Sequence, residues 1–173
     1  MRKLLSFLGG FIFAAFTFLA SPPAGAIEVR QVTSPGGIKA WLVRDTLNPI
    51  LSVRFAFLGG SALDPEGKEG LARMSAALLG EGAGDMDAKA FRAALEDRSI
   101  SLGFDSSFDE FGGSLQTLTE HRDTAVHLLA LALTRPRFDA DALARVRSQV
   151  LARLRRDAEN PDTVAQVRLF AEM

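Results

Sequence analysis

Two runs of residues decide the fold: Ile50-Leu51-Ser52-Val53-Arg54-Phe55-Ala56-Phe57 and Gly70-Leu71-Ala72-Arg73-Met74-Ser75-Ala76-Ala77-Leu78-Leu79-Gly80-Glu81-Gly82. In the first, Leu51, Val53, Phe55 and Phe57 recur at period two, the pattern of a strand with one face buried. In the second, Leu71, Met74 and Leu78 recur at helical spacing, which predicts a helix over 68–79. Gly80, Gly82 and Gly84 end it, because glycine enters the left-handed conformation that closes helices. Gly59-Gly60-Ser61 opens the loop between the two runs. A strand delivered through a glycine turn into an amphipathic helix places both kinds of element in one domain.

Working outward gives the rest. Residues 38–43 alternate enough to read as a strand, with Ser34-Pro35-Gly36-Gly37 supplying a turn before it and Asn48-Pro49 a break after it. A hairpin of 38–43 with 50–57 is therefore expected. Downstream, Asp87 is placed to cap a helix over 87–97, with Phe91, Ala94 and Leu95 facing inward. Ile100, Leu102 and Phe104, then Phe111, Gly113, Leu115 and Thr117, read as a strand pair with its turn near Asp105-Ser106-Ser107. Thr119 is the expected cap of a helix to Thr134 that buries Val126, Leu129 and Leu133, and Pro136 ends it. A further helix begins at Asp139 or Asp141, with Leu143, Val146, Val150 and Leu154 in register. Asn160-Pro161 separates it from a last helix starting near Asp162. The order implies an α+β domain, a mostly antiparallel sheet with helices packed on one face.

The first residues have another purpose. Arg2 and Lys3 precede an apolar run from Leu4 to Leu19, and Ser21-Pro22-Pro23 then leads into Ala24-Gly25-Ala26. This is the pattern of a cleavable secretory signal, with Ala24 and Ala26 as the small residues before the cut. The run is shorter than the roughly 20 residues a membrane span needs, so no stable anchor is expected after cleavage. Residues 1–26 are thus the expected signal peptide and 27–173 the mature domain. With no cysteine in the chain, a lipid-anchored form, a disulfide framework and a thiolate metal site are all excluded. Export without disulfides points to the periplasm. Loss of Arg2 and Lys3 moves the formal net charge from −1 to about −3, which argues against nucleic acid as a partner.

The element order and residues 59–82 resemble the N-terminal domain of the insulinase/pitrilysin family of zinc peptidases, the inverzincins. That family carries His-x-x-Glu-His on the first helix after the early strands. The frame here is Gly59-Gly60-Ser61, the Gly70-Leu71-Ala72 lead-in and the Leu78-Leu79-Gly80-Glu81-Gly82 exit. By this resemblance Arg73 stands at the first ligand histidine, Ala76 at the catalytic glutamate and Ala77 at the second histidine. Aligning on Asn160-Pro161 puts Arg153 at the third ligand, a glutamate in the family. The resemblance covers most of residues 30–173. It implies a chain that ends within or just after the first of two such domains, so that the domain is incomplete and the second one absent.

Catalytic zinc needs about three nitrogen or oxygen donors and an open position for water. Arginine has no lone pair to give and alanine has no donor at all. No cofactor is expected in this chain. What the resemblance implies is a non-catalytic subunit that pairs with an active, zinc-bearing copy and contributes to peptide binding. An active metallopeptidase whose catalytic residues lie outside this chain, and a truncated product without function, are the alternatives.

Other groupings admit plainer readings. Arg73 and Arg153 could hold carboxylates of a substrate or an acidic partner loop, or could be solvated helix residues. Arg145, Arg147, Arg153, Arg155 and Arg156 could bind an anion or membrane, but more often form the exposed face of a helix. His121 and His127 are six residues apart, do not share a helix face well and lack an obvious third metal ligand. Glu81, Asp85 and Asp87 lack the spacing of a calcium loop and read as loop acidity.

Overall fold

A computed structural model describes residues 28–172. The expected signal segment, with Ala24 and Ala26, lies outside these residues. The described residues fall into two units, 28–47 and 48–172.

In the first unit, β1 (Val29–Thr33) and β2 (Lys39–Val43) form an antiparallel ribbon from Val29↔Val43 to Thr33↔Lys39. Ser34 builds its turn. The Ser34 backbone N–H donates to the Ile38 carbonyl at 2.8 Å, and the Ser34 hydroxyl oxygen accepts from the Ile38 N–H at 3.0 Å. The expected hairpin of 38–43 with 50–57 is corrected here: β2 pairs with β1, and the strand over 50–58 pairs elsewhere. A four-residue turn closes a local hairpin at little entropic cost. Arg30, Gln31 and Thr33 had diluted the alternation that would have marked β1.

In the second unit, β3 (Ile50–Leu58), β6 (Ser101–Ser106) and β7 (Glu110–Leu118) make an antiparallel sheet in the order β3-β7-β6. Between β3 and β6 come α1 (Leu71–Leu79), a minimal hairpin of β4 (Gly82–Ala83) and β5 (Met86–Asp87), and α2 (Ala88–Glu96). After β7, a single 3₁₀ turn leads into α3 (Arg122–Thr134), α4 (Ala140–Glu159) and α5 (Pro161–Ala171). The α+β arrangement is the one expected, with helices against one sheet face. Phe91 of α2 and Leu115 of β7 are completely or almost completely buried at its centre, packed with Ala125, Leu128 and Ala132 of α3. Burying side chains of this size stabilises by about 2–3 kcal/mol each.

Local signals held where they were local. Asp87 Oδ1 accepts from the Ala90 N–H at 2.8 Å, so α2 is capped as expected. Asn160 Oδ1 accepts from the Asp162 N–H at 3.0 Å with Pro161 in the first turn, and α5 begins there. Helix phase held less well. α3 buries Ala125, Leu128 and Ala132 and exposes Val126, because a helix apolar on several sides does not declare its inner face. Leu71, Leu143 and Leu154 are likewise exposed, while Ala76, Leu78 and Leu79 of α1 and Ala142 and Val146 of α4 are buried. Alanine at these contacts lets the elements approach closely. Thr119 opens the 3₁₀ turn instead of capping α3, and its N–H donates to the Pro49 carbonyl at 2.9 Å.

The loop leaving β3 is bonded to the β6–β7 turn. Gly59 N–H donates to Asp109 O at 2.6 Å, Ser61 N–H to Ser107 O and Ala62 N–H to Phe108 O, both at 2.9 Å. A Cβ on Gly60 would lie 2.1 Å from Ser107 O and 2.7 Å from Glu110 O, both rigid backbone atoms. Gly60→Ala is therefore expected to destabilise by about 2 kcal/mol or more in denaturant unfolding, while Gly36→Ala, which meets only Ser34 Oγ at 3.9 Å, changes stability by less than about 0.5 kcal/mol.

Candidate functional site around the first helix

The residues singled out by sequence lie on α1 and α4. Gly70, at the N-cap of α1, has φ +91° and no side chain with which to cap. Asp64 does this from the preceding loop: Oδ2 accepts from the Gly70 N–H at 2.7 Å and Oδ1 from the Ala72 N–H at 2.8 Å. The carboxylate satisfies donors that would otherwise be orphaned and places negative charge at the positive end of the helix. Close by, Glu69 Oε1 accepts from the Gly67 N–H at 3.0 Å. Backbone hydrogen bonds, first its own and then that of Gly67, hold the Glu69 carboxyl below the usual carboxylate range.

Along its length α1 packs beside β6 and against α4. Leu78 meets Ala142 and Val146, with Met74 and Val150 at the margin. Arg73 is exposed and lines a cleft of about 360 Å³ with Ser61, Gly70, Ser106, Ser107 and Phe108. Ala76 is buried in the core, and Ala77 is exposed. Arg153 is exposed on α4, where its Nε lies 3.7 Å from Asp157 Oδ2, one turn along the same helix. The cleft lined by Arg73 includes no residue of α4, so the two arginines do not form one cationic site around it.

Glu81 is the residue whose importance sequence reasoning missed. Its side chain is only 15% exposed; Oε2 accepts from Arg145 Nη2 at 2.5 Å and lies 3.8 Å from Arg92 Nη2. One carboxylate thereby ties the exit of α1 to α4 and to α2. Reading it as loop acidity was wrong, and so was grouping Arg145 with the free basic face. The Leu78-Leu79-Gly80-Glu81-Gly82 exit marked the acid, but its partner lies 64 residues away. Arg92 and Arg145 also border a cleft of about 460 Å³, where Lys89, Asp87, Glu96, Asp139 and Asp141 mix both signs of charge.

Among the described residues no three His, Asp or Glu side chains are grouped so as to hold a metal ion. His121 faces Glu120 at 3.9 Å, and His127 is exposed on α3.

No known family profile matches the chain. It is 34% identical over 127 residues to the non-peptidase homolog YmxG of Helicobacter pylori (strain ATCC 700392 / 26695), a match covering 73% of this chain and 29% of that protein. Among solved structures it is similar to a peptidase M16 inactive domain from Pseudomonas fluorescens, with a TM-score of 0.76 and 29% identity over 83% of this chain and 35% of that one. A protease from Helicobacter pylori (TM-score 0.65, 22% identity, 80% and 34% of the two chains) and pitrilysin (TM-score 0.64, 23% identity, 76% and 14%) share the fold. The chain thus has the fold of an M16, or insulinase/pitrilysin, peptidase domain and spans about a third of the length of its curated relative. Its likeness is to a non-peptidase homolog by sequence and to an M16 inactive domain by structure.

The fold family implies zinc, and the residues that the resemblance places at its site do not fit it. Arg73 and Arg153 have no lone pair to offer a cation, and Ala76 and Ala77 present only methyl groups.

Because the Glu81 carboxylate is largely shielded, removing it leaves Arg145 without its partner and separates three helices at one point. Glu81→Ala is expected to cost about 2 kcal/mol in denaturant unfolding. Arg145→Ala should cost a similar amount, and the double variant should lose less than the sum of the two.

Proposed function

We propose that this chain is an exported, non-catalytic member of an insulinase-type assembly, pairing with an active zinc peptidase and contributing to the binding of its peptide substrate. One observation carries the reading: α1 is capped by Asp64, clamped at Glu81 and packed on α4, while the positions that the resemblance assigns to the zinc motif carry arginine or alanine. A scaffold maintained without its chemistry suits a partner that shapes an enclosure. Zinc and the water-activating carboxylate would then belong to the active copy.

Peptide binding has a natural place. β3 and β6 are the outer strands of the three-stranded sheet, and an extended peptide can add to such an edge through main-chain hydrogen bonds. β6 also lies beside the motif helix. Export to the periplasm is supported by residues 1–26 of the sequence, including Ala24 and Ala26. Among the described residues no helix is long and apolar enough to cross a membrane.

The partial coverage of relatives favours a second reading. The chain spans 29% of YmxG and 35% of the Pseudomonas chain, so a longer product could carry catalytic residues elsewhere.

A tagged copy isolated from the periplasm, with mass spectrometry of what co-purifies, separates these readings. The subunit reading expects a mature N-terminus at Ile27 and near-equal amounts of a protein bearing intact His-x-x-Glu-His. Chaperones and proteases alone would set the pairing aside.

A further inference from the structure

We infer that the cleft beside Arg73 is a carboxylate receptor, so that the peptide segment held next to the motif helix is an acidic one. The inference rests on the peptide-binding reading above and adds the chemical class of what is bound.

Three described clefts contain an arginine, and two of them neutralise it internally. The largest sets Asp87, Glu96, Asp139 and Asp141 against Lys89, Arg92 and Arg145. A cleft of about 220 Å³ on the sheet sets Asp105 and Glu110 beside Arg54. The cleft of about 360 Å³ at α1 contains Arg73 and no carboxylate. Asp64, the acid that caps this helix, uses both oxygens on the Gly70 and Ala72 N–H groups. Among the described residues Arg73 makes no ion pair, and its side chain stands in solvent.

The surroundings suit an anion with an apolar stem. A guanidinium presents a planar fork of donors that matches a carboxylate in bidentate geometry. Ser107 Oγ is occupied with the Glu110 backbone, accepting from its N–H at 3.1 Å, whereas the Ser61 hydroxyl has no hydrogen-bond partner among the described residues and can donate to the same anion. Phe108, 69% exposed, gives the methylenes of a glutamate a surface to cover. The cleft thus presents a fixed cation with no carboxylate of its own to neutralise it.

Two measurements on the isolated protein test this. The first is an NMR titration with N-acetylglutamate, following the Arg73 Nε–Hε signal, assigned by its loss in Arg73→Gln. The second compares a decapeptide carrying one central Glu with its Gln counterpart. A saturable Nε–Hε shift with N-acetylglutamate and none with N-acetylglutamine is expected. The Glu peptide should bind about tenfold more tightly than the Gln peptide. Arg73→Gln should abolish that preference without weakening the Gln peptide, and Arg73→Lys should keep part of it. If both peptides bind equally and the Nε–Hε signal does not move, the carboxylate receptor is overturned while peptide binding stands. If the signal responds but neither peptide binds, peptide binding falls and the carboxylate site remains. Arg73 is exposed, so its variants should unfold at the same temperature as the natural chain.

Discussion

Asp64 and Glu81 stand at the two ends of α1. The first accepts two backbone hydrogen bonds where the helix begins, and the second takes Arg145 and Arg92 where it ends. Between them the helix is nine residues long, too short to persist by propensity alone. Its position is therefore set by these two carboxylates and by Leu78 against Ala142 and Val146. The placing of Arg73, Ala76 and Ala77 follows from that fixing. So does the cleft, whose other wall is the β6–β7 turn held to the loop by Gly59, Ser61 and Ala62.

The family resemblance reads residues 73, 76, 77 and 153 as replacements for a zinc site, a reading that can be weighed physically. A zinc site without zinc gathers a carboxylate and lone-pair donors in one place, and burying such groups unpaired costs several kcal/mol. Position 76 is 6% exposed, so a glutamate there would have to be protonated or partnered. Alanine removes that cost and packs. Position 73 opens to solvent, where a charged side chain is tolerated, and there an arginine stands. At positions 73 and 76 burial and side chain agree, a cation outside and a small apolar residue inside, while the exposed Ala77 does not follow this pattern.

How far the sequence could be read depended on how local the determinant was. Asp87 capping α2 and Asn160-Pro161 starting α5 are resolved within three residues, and both were legible. So was the β6–β7 pair, with Ser107 bonded to Glu110 in its turn. The partner of β2 was misread, because β1 alternates weakly, and β3 finds β7 some 60 residues later. The inner face of α3 was misread in part: Leu129 packs on the core but Val126 is exposed, since leucines and alanines occupy more than one side of the helix. At the site, the four motif positions rest on family resemblance alone. What holds them was not legible: Asp64 reaches eight residues forward to Ala72, and Glu81 reaches sixty-four to Arg145.

The central proposal is that α1 carries a peptidase-type frame without metal donors. Calorimetric titration of zinc into the natural chain, beside a variant carrying Arg73→His, Ala76→Glu, Ala77→His and Arg153→Glu, tests it most directly. The account predicts about one zinc per chain in the variant and none held in the natural protein. Stoichiometric zinc in the natural chain, or a folded variant that binds none, would contradict it.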